Sequence, residues 1–184
     1  DGRSVHYRLE DAVRGLNEQS KASKSGGICC EPGLVFADCN SHSASSFVLF
    51  DTVHGTSYSD ANPRWFKWMR GHFRNRVPFA REFLYVIYNQ KYGLFYPVGD
   101  VGADCWALGW GYPWFPDTEL LQQGWKHICR RAKWIRPAKN QCYARSNKII
   151  GCCAGGSLSV SNSFIPLTGV QAEGDVVDGE FKNA

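Results

Sequence analysis

The chain has 184 residues, which is enough for one well-buried domain and short for two. Hydrophobic residues make up 43% of the chain and charged residues 21%, and this composition excludes a disordered protein. The formal net charge of +4 is mild and does not predict binding to nucleic acid, and no apolar run is long enough to cross a membrane.

The first half of the chain predicts two strands and two helices. Residues 4–8 form a short first strand that ends at Arg8, and apolar residues at helical spacing predict a helix over 10–19. A serine-rich stretch then leads into residues 47–50, a short aromatic and aliphatic run that predicts a second buried strand. Asn62-Pro63 begins the second helix, because Asn is a good N-cap and Pro fits the first helical position.

The region over residues 79–119 is predicted to organise the fold. Residues 83–88 form a continuous apolar run, typical of a strand covered on both faces. The stretch 93–116 is rich in Gly, Pro and Trp and too long for an ordinary connection, so it predicts a binding or active-site loop. It leads to Asp117 and Glu119 at the start of a helix over 117–131.

The remaining residues predict short strands followed by a tail. Strands are expected near 134–135, 141–144 and 148–153, with an edge strand within 157–170. We therefore predict an α+β fold with a split, mostly antiparallel β-sheet and flanking helices, in a single domain over 1–170. Residues 171–184 are expected to be an acidic, mobile C-terminal tail.

The cysteine pattern predicts disulfides rather than a metal site. The chain has 8 cysteines and no Cys-x-x-Cys pair, the spacing on which zinc ribbons depend, so no metal is expected. An even set of this kind is typical of an oxidising compartment, and adjacent pairs such as Cys29 and Cys30 point in divergent directions. We expect a disulfide-stapled protein, secreted as a mature form after signal-peptide removal.

Four short pieces in chain order resemble the catalytic subunits of the cholera and pertussis toxin group, which are mono-ADP-ribosyltransferases that cleave NAD. The pieces are the strand ending at Tyr7-Arg8, the lead from Cys39 into Phe47-Val48, the strand over 84–87, and the two acids before Leu120-Leu121. The resemblance implies an ADP-ribosyltransferase-like fold, NAD as the substrate and a secreted toxin-like effector that modifies a host protein.

The resemblance also implies roles for three residues. Arg8 would hold the NAD phosphates, since a guanidinium fork suits a pyrophosphate. Glu119 would be the catalytic glutamate that stabilises the oxocarbenium-like transition state, with Asp117 as the preceding acid of the pair. Where that family carries Ser-Thr-Ser, this chain has Leu49 to Thr52. The interpretation that the chain is a relative that has lost the reaction therefore stays open.

Two alternatives stay open beside this interpretation. The chain could be a non-enzymatic, disulfide-rich module that recognises a host protein, or a hydrolase that uses Cys105 as nucleophile with His127 as base. Asp117 and Glu119 could equally be acids favoured by the positive end of a helix. A monomer is favoured, and a nucleic-acid partner is not expected.

Overall fold

The computed structural model describes residues 8–80, 82–96, 101–114 and 117–139, together with the backbone of 141–145. Its helices are α1 (Leu9–Ala22), α2 (Ala37–His54), α3 (Asn62–His72), α4 (Val101–Cys105) and α5 (Thr118–Arg131). A 3-10 turn spans Tyr58–Ala61, and a π-helical segment, Trp106–Trp110, continues directly from α4. None of the helices in this part of the chain has the length and apolar character needed to cross a membrane.

The strands form two small antiparallel sheets. The larger sheet has the order β1-β2-β3-β4, made by Cys29–Glu31, Leu34–Phe36, Ile87–Asn89 and Leu94–Tyr96. The smaller sheet pairs β5 (Lys133–Ala138) with β6 (Gln141–Arg145). The predicted α+β class with antiparallel strands is confirmed, whereas an ADP-ribosyltransferase arrangement of these strands is not observed.

Three helices lie where the sequence pattern predicts them. α3 and α5 each bury one mainly apolar stripe, as helical spacing of apolar residues requires, and α1 buries one face that holds Val13, Asn17 and Ser20. α3 packs into the main core through Trp65, Phe66 and Met69. α5 packs there through Leu120 and Leu121. α3 and α5 pack in the same core as Val35 and Tyr88 of the larger sheet.

The predicted strand over 47–50 is wrong, because these residues lie within α2. Phe47 and Phe50 are buried, but Leu49 is 55% exposed, so the apolar run covers more than one face of a helix. The preceding serines do not interrupt α2, because their hydroxyls donate to backbone carbonyls one turn earlier, as Ser46 does to His42 O at 2.9 Å. α2 ends at Gly55, whose φ of 65° suits glycine.

The predicted central strand over 83–88 is mostly wrong as well. The run is buried, but only its end belongs to a strand, β3. The backbone N–H groups of Phe83 and Leu84 donate instead to the carboxylate of Asp104, at 2.8 and 2.9 Å. Asp104 is fully buried in α4 and thereby joins α4 to the segment before β3.

The predicted disulfide set is also wrong. No disulfide bond joins the five cysteines whose side chains the structure describes, Cys29, Cys30, Cys39, Cys105 and Cys129. Cys105 is fully buried against the main core, and the Cys30 and Cys39 sulfurs lie in non-bonded contact.

The turn that follows α2 is stabilised by one carboxylate. Asp51 accepts hydrogen bonds from Thr56 Oγ1 at 2.6 Å, Tyr58 N at 2.8 Å and Ser59 N at 2.7 Å. Burial acts to raise the pKa of Asp51, but these hydrogen bonds, including one from the Ser59 side chain, outweigh it and lower the pKa to about 2.

Some predicted features lie outside the described residues. They are the first strand up to Tyr7, the strands over 148–153 and within 157–170, and the tail over 171–184. The single-domain boundary at residue 170 therefore stays a prediction.

Candidate functional site

A pair of cysteine side chains lies where the first hairpin meets α2. Cys30 belongs to β1 and Cys39 is the third residue of α2. Their Sγ atoms are 3.5 Å apart, a distance at which one thiol can donate a weak hydrogen bond to the other. We refer to Cys30 and Cys39 as the thiol pair.

The hairpin geometry directs Cys30 towards α2. Pro32-Gly33 connects β1 to β2, and Gly33 has a φ of 74°, which a residue with a side chain rarely adopts. The register between β1 and β2 shifts between Cys29 and Glu31, so Cys30 lies at an irregularity that can re-aim a side chain.

Cys29 contacts a different part of the structure from Cys30. Its sulfur accepts a hydrogen bond from Gln90 Nε2 at 2.8 Å, and the side chain packs against the main core. Cys30 instead contacts Cys39. Neighbouring residues of a strand point to opposite faces, so the two adjacent cysteines have different surroundings, as predicted.

The buried side chain of Asn40 holds β1 against the first turn of α2. Its Oδ1 accepts from Ile28 N at 2.7 Å, and its Nδ2 donates to Ile28 O at 3.0 Å and to Phe36 O at 2.8 Å. Ile28 directly precedes β1, and Asn40 directly follows Cys39. This one amide therefore fixes the two segments that carry the thiol pair.

Apolar side chains form a wall on one side of Cys39. Phe36, Val86, Ile87 and Ala103 form a buried cluster, and the side chains packed against it are Leu34, Cys39, Tyr96 and Trp106. Strands of the larger sheet, α4 and the π-helical segment thus all contribute side chains to the cluster beside Cys39. This packing shields one side of Cys39 from water.

His42 lies one turn after Cys39 and contacts two tryptophans. Trp106 Nε1 donates to His42 Nε2 at 2.5 Å, and the Trp110 ring centroid lies 5.0 Å from that of His42. Burial lowers the pKa of His42, because the charged imidazolium loses hydration. The neutral form, with Nε2 as acceptor, is the one that this contact requires.

Cys39 lies in the first turn of α2. The first-turn N–H groups of α2 give the helix a positive N-terminal end, which stabilises a thiolate at such a position. The N-cap of α2 is Phe36, which supplies no side-chain oxygen to these N–H groups. The thiol pair therefore lies at the first turn of a helix, which also carries the buried carboxyl group of Asp38.

The structure places the predicted NAD-binding residue Arg8 at the N-cap of α1 rather than in a strand. Its side chain is 79% exposed, and Nε contacts Asp11 Oδ2 at 3.4 Å. Arg8 thus has a helix-end ion pair, a contact of small energetic value. Its predicted role in binding phosphates stays a prediction.

The two predicted catalytic acids are brought together by an arginine. The Asp117 carboxylate accepts from Leu120 N at 2.9 Å and so caps α5, and it also pairs with Arg70. Glu119 is 64% exposed and pairs with Arg70 at 2.5 Å. Both acids therefore have the contacts expected of acids at the start of a helix, and their predicted catalytic roles stay predictions.

Comparison with known families identifies the chain. A family model described as linalool dehydratase/isomerase matches residues 3–163. The chain belongs to this family. The match includes both members of the thiol pair and the hairpin between them.

Membership in the linalool dehydratase/isomerase family overturns the earlier functional interpretation. The resemblance to the cholera and pertussis toxin group is wrong, since its motifs were only a few residues long. The toxin-like effector and the disulfide-rich binding module are wrong with it. Nothing in the described fold tests secretion, NAD as a substrate, a host-protein partner or the monomeric state. These stay predictions.

Sequence reasoning did not single out Cys30, Cys39 and His42 as candidate site residues. The even number of cysteines and the absence of a Cys-x-x-Cys motif suggested covalent bridges instead. One signal was available: Pro32-Gly33 predicts a tight turn between the two cysteines, and a tight turn brings the segments on either side of it together. The hydrolase alternative singled out Cys105, which the structure buries completely.

Proposed function

We propose that this protein is an enzyme of the linalool dehydratase/isomerase type, which removes water from an allylic alcohol or moves its hydroxyl group. The thiol pair is the observation that carries this proposal, because it places two groups able to exchange protons side by side. The matched family supplies the substrate class.

Dehydration of an alcohol needs an acid and a base in one site. A thiol of the pair gives its proton to the hydroxyl, the C–O bond breaks with its electrons on oxygen, and water leaves. The other sulfur, as thiolate, then takes a proton from the adjacent carbon, and the C–H electrons form the new double bond. Isomerisation instead returns water to the far end of the allylic cation, and the thiolate left by the first step takes the extra proton from the new C–O oxygen.

The contact between the sulfurs explains how such a site is restored. After dehydration the acid has become a thiolate and the base has become a thiol. Because the Sγ atoms are 3.5 Å apart, a proton can pass between them without a further residue. The positive end of α2 stabilises the single negative charge that the pair retains.

The surroundings of Cys39 suit an apolar substrate with a cationic intermediate. Trp106 and Tyr96 pack against the same buried cluster as Cys39, and aromatic faces attract positive charge. The aliphatic members of the cluster match the hydrocarbon part of a terpene alcohol and limit the access of water. The same wall that binds the substrate thus protects the cation from capture.

The test is conversion of linalool by purified protein under anaerobic, reducing conditions, with alkene and isomeric alcohol products separated by gas chromatography. Cys39→Ser and Cys30→Ser should each lower turnover by about 100-fold or more, since an acid or base typically contributes that much. Cys29→Ser is the matched control, because Cys29 adjoins the pair in sequence but contacts Gln90. Urea unfolding of each variant confirms that the fold is retained.

Two outcomes would refute the assignment. Turnover of the Cys30 and Cys39 variants within a factor of about three of the wild type would remove the thiols from the reaction. An equal loss in Cys29→Ser would show that the effect comes from packing rather than from the thiol pair.

A further inference from the structure

A second cleft, lined almost entirely by basic side chains, lies along α5. Its lining residues are Arg74, Gln123, Lys126, His127, Arg130 and Arg131. We call this surface the basic cleft. It shares no lining residue with the thiol pair or with the wall beside Cys39.

The basic cleft is a continuous face of α5 rather than a scatter of charges. Gln123, Lys126, His127, Arg130 and Arg131 follow the spacing that places residues on one side of a helix. Arg74 comes from the segment after α3 and adds a guanidinium from a separate element. A ligand in this cleft would meet cations from two elements.

The guanidinium of Arg74 is held in position before any ligand binds. It lies 4.1 Å from the centre of the Phe83 ring, and its NH1 donates to Gln123 Oε1 at 2.6 Å. Burial, together with the nearby charge of Arg76, lowers the pKa of Arg74, whereas the charge of Glu119 acts to raise it. A fixed guanidinium fork loses little side-chain entropy when it binds an oxyanion.

Within the part of the chain that the structure describes, most of the positive charge in the cleft has no carboxylate partner. Among the residues that the structure describes, neither Lys126, Arg130 nor Arg131 forms a salt bridge. Glu119 contacts Gln123 at the edge of this face, but its carboxylate is already paired with Arg70. The cleft thus has a net positive charge that a bound anion would balance.

Helix stability explains only part of this arrangement. Arg130 and Arg131 lie in the last turn of α5, where cations stabilise the helix end. Lys126 lies outside that turn and four residues before Arg130, and like charges at this spacing weaken a helix. Arg74 lies on another segment altogether, so the helix end does not account for the convergence.

We propose that the basic cleft binds the phosphate or diphosphate group of a small ligand. Several guanidinium groups and one ammonium around a single concave surface suit the multiple oxygens and high charge of a diphosphate. The site is independent of the proposed dehydratase reaction and would remain if that proposal failed.

The test uses inorganic pyrophosphate as the probe and isothermal titration calorimetry at low ionic strength as the measurement. We expect saturable binding by the intact chain that weakens as salt is raised. Arg130→Gln and Arg74→Gln should each reduce affinity about 10-fold or more, the effect of losing one charge-assisted hydrogen bond. Lys67→Gln on α3 is the matched control, since Lys67 is exposed and lies outside the cleft.

Chemical shifts of the backbone amides of α5 give a second readout that does not depend on the calorimetric signal. Shifts confined to the residues of the basic cleft on addition of pyrophosphate would support the proposal. Absence of binding at millimolar pyrophosphate, or an equal loss of affinity in Lys67→Gln, would overturn it.

Vesicles distinguish a soluble ligand from a lipid headgroup. The protein is mixed with phosphatidylcholine vesicles with and without phosphatidic acid and separated by sedimentation. Retention only on the anionic vesicles, without binding of pyrophosphate, would overturn the small-ligand proposal. Pyrophosphate that binds and also releases the protein from those vesicles would support a single phosphate site.

Discussion

Asn40→Asp tests whether one buried amide positions the thiol pair. The carboxylate can still accept from Ile28 N, but it cannot donate to Ile28 O or to Phe36 O. Each buried carbonyl left without a donor costs about 1–3 kcal/mol, so the two together cost about 2–6 kcal/mol. Repulsion between the carboxylate and the two carbonyls adds to this loss.

Asn17→Asp is a matched control for the same chemical change. Asn17 and Asn40 are both 3% exposed, and the Nδ2 atom of Asn17 donates to one carbonyl, Tyr58 O at 2.9 Å. The loss of one donor predicts destabilisation of about 1–3 kcal/mol, roughly half of that at Asn40. Urea unfolding at neutral pH measures both free energies.

Separation of the sulfurs is measured with phenylarsine oxide, which binds strongly only where two thiols can ligate the same arsenic atom. We expect tight binding by the wild type and Asn17→Asp, and much weaker binding by Asn40→Asp under conditions where it remains folded. Undiminished arsenical binding by Asn40→Asp, with a stability no lower than that of Asn17→Asp, would refute the positioning role.

Four further predictions concern the stability of the fold. Asp104→Asn should cost about 1–3 kcal/mol in urea unfolding, because one of two backbone N–H donors then faces an amide NH2 group. Gly27→Ala should cost about 1–3 kcal/mol by overpacking, since its Cβ would lie 2.5 Å from Val35 Cγ1. Gly15→Ala in open space on α1 should instead stabilise by about 0.5–1 kcal/mol. Folding lowers the pKa of Asp51 to about 2. Its contribution to the free energy of unfolding is therefore complete above about pH 4 and is lost as the pH falls towards 2. Asp51→Asn should flatten the dependence of the unfolding free energy on pH in this range.

The amphipathic helices were predictable because each buries a single stripe. In α3 the apolar side chains recur at helical spacing, and Asn62-Pro63 marks the start, so local pattern and tertiary packing agree. The same agreement holds for α1 and α5. Asp117 was correctly placed at the start of α5, where it acts as the cap.

Short apolar runs were not predictable by composition alone. Phe47 to Phe50 has a strand-like composition, but a run of this length fits a buried helix equally well. In the run over 83–88, the first two N–H groups bond to the Asp104 carboxylate from a helix about twenty residues later, which no local pattern reveals. In this second run, the hydrogen bonds to Asp104 determine how much of the run joins a strand.

The candidate site was predictable only in part. The stretch over 93–116 was predicted to be a loop from its length and its Gly, Pro and Trp content, which is wrong, because β4, α4 and the π-helical segment lie within it. Its tryptophans Trp106 and Trp110 do contact His42 beside the thiol pair. The cysteines themselves were interpreted as bridges, because counting them gives no information on which thiols are kept apart or how they are oriented. That information comes from the irregular register of β1 and from Asn40.

The short path from Cys30 to Cys39 has a consequence for how this region is acquired during folding. Closing a short loop around a tight turn costs little chain entropy, so the thiol pair is a local feature that can assemble before distant contacts form. Trp106, which packs against the cluster beside Cys39, and Asp104, which bonds to Phe83 and Leu84, come from much later in the chain. Their contacts close longer loops than the one between Cys30 and Cys39. An early folding species would thus carry the paired sulfurs on an open, solvated surface, and the reactive environment would arise only when the π-helical segment docks.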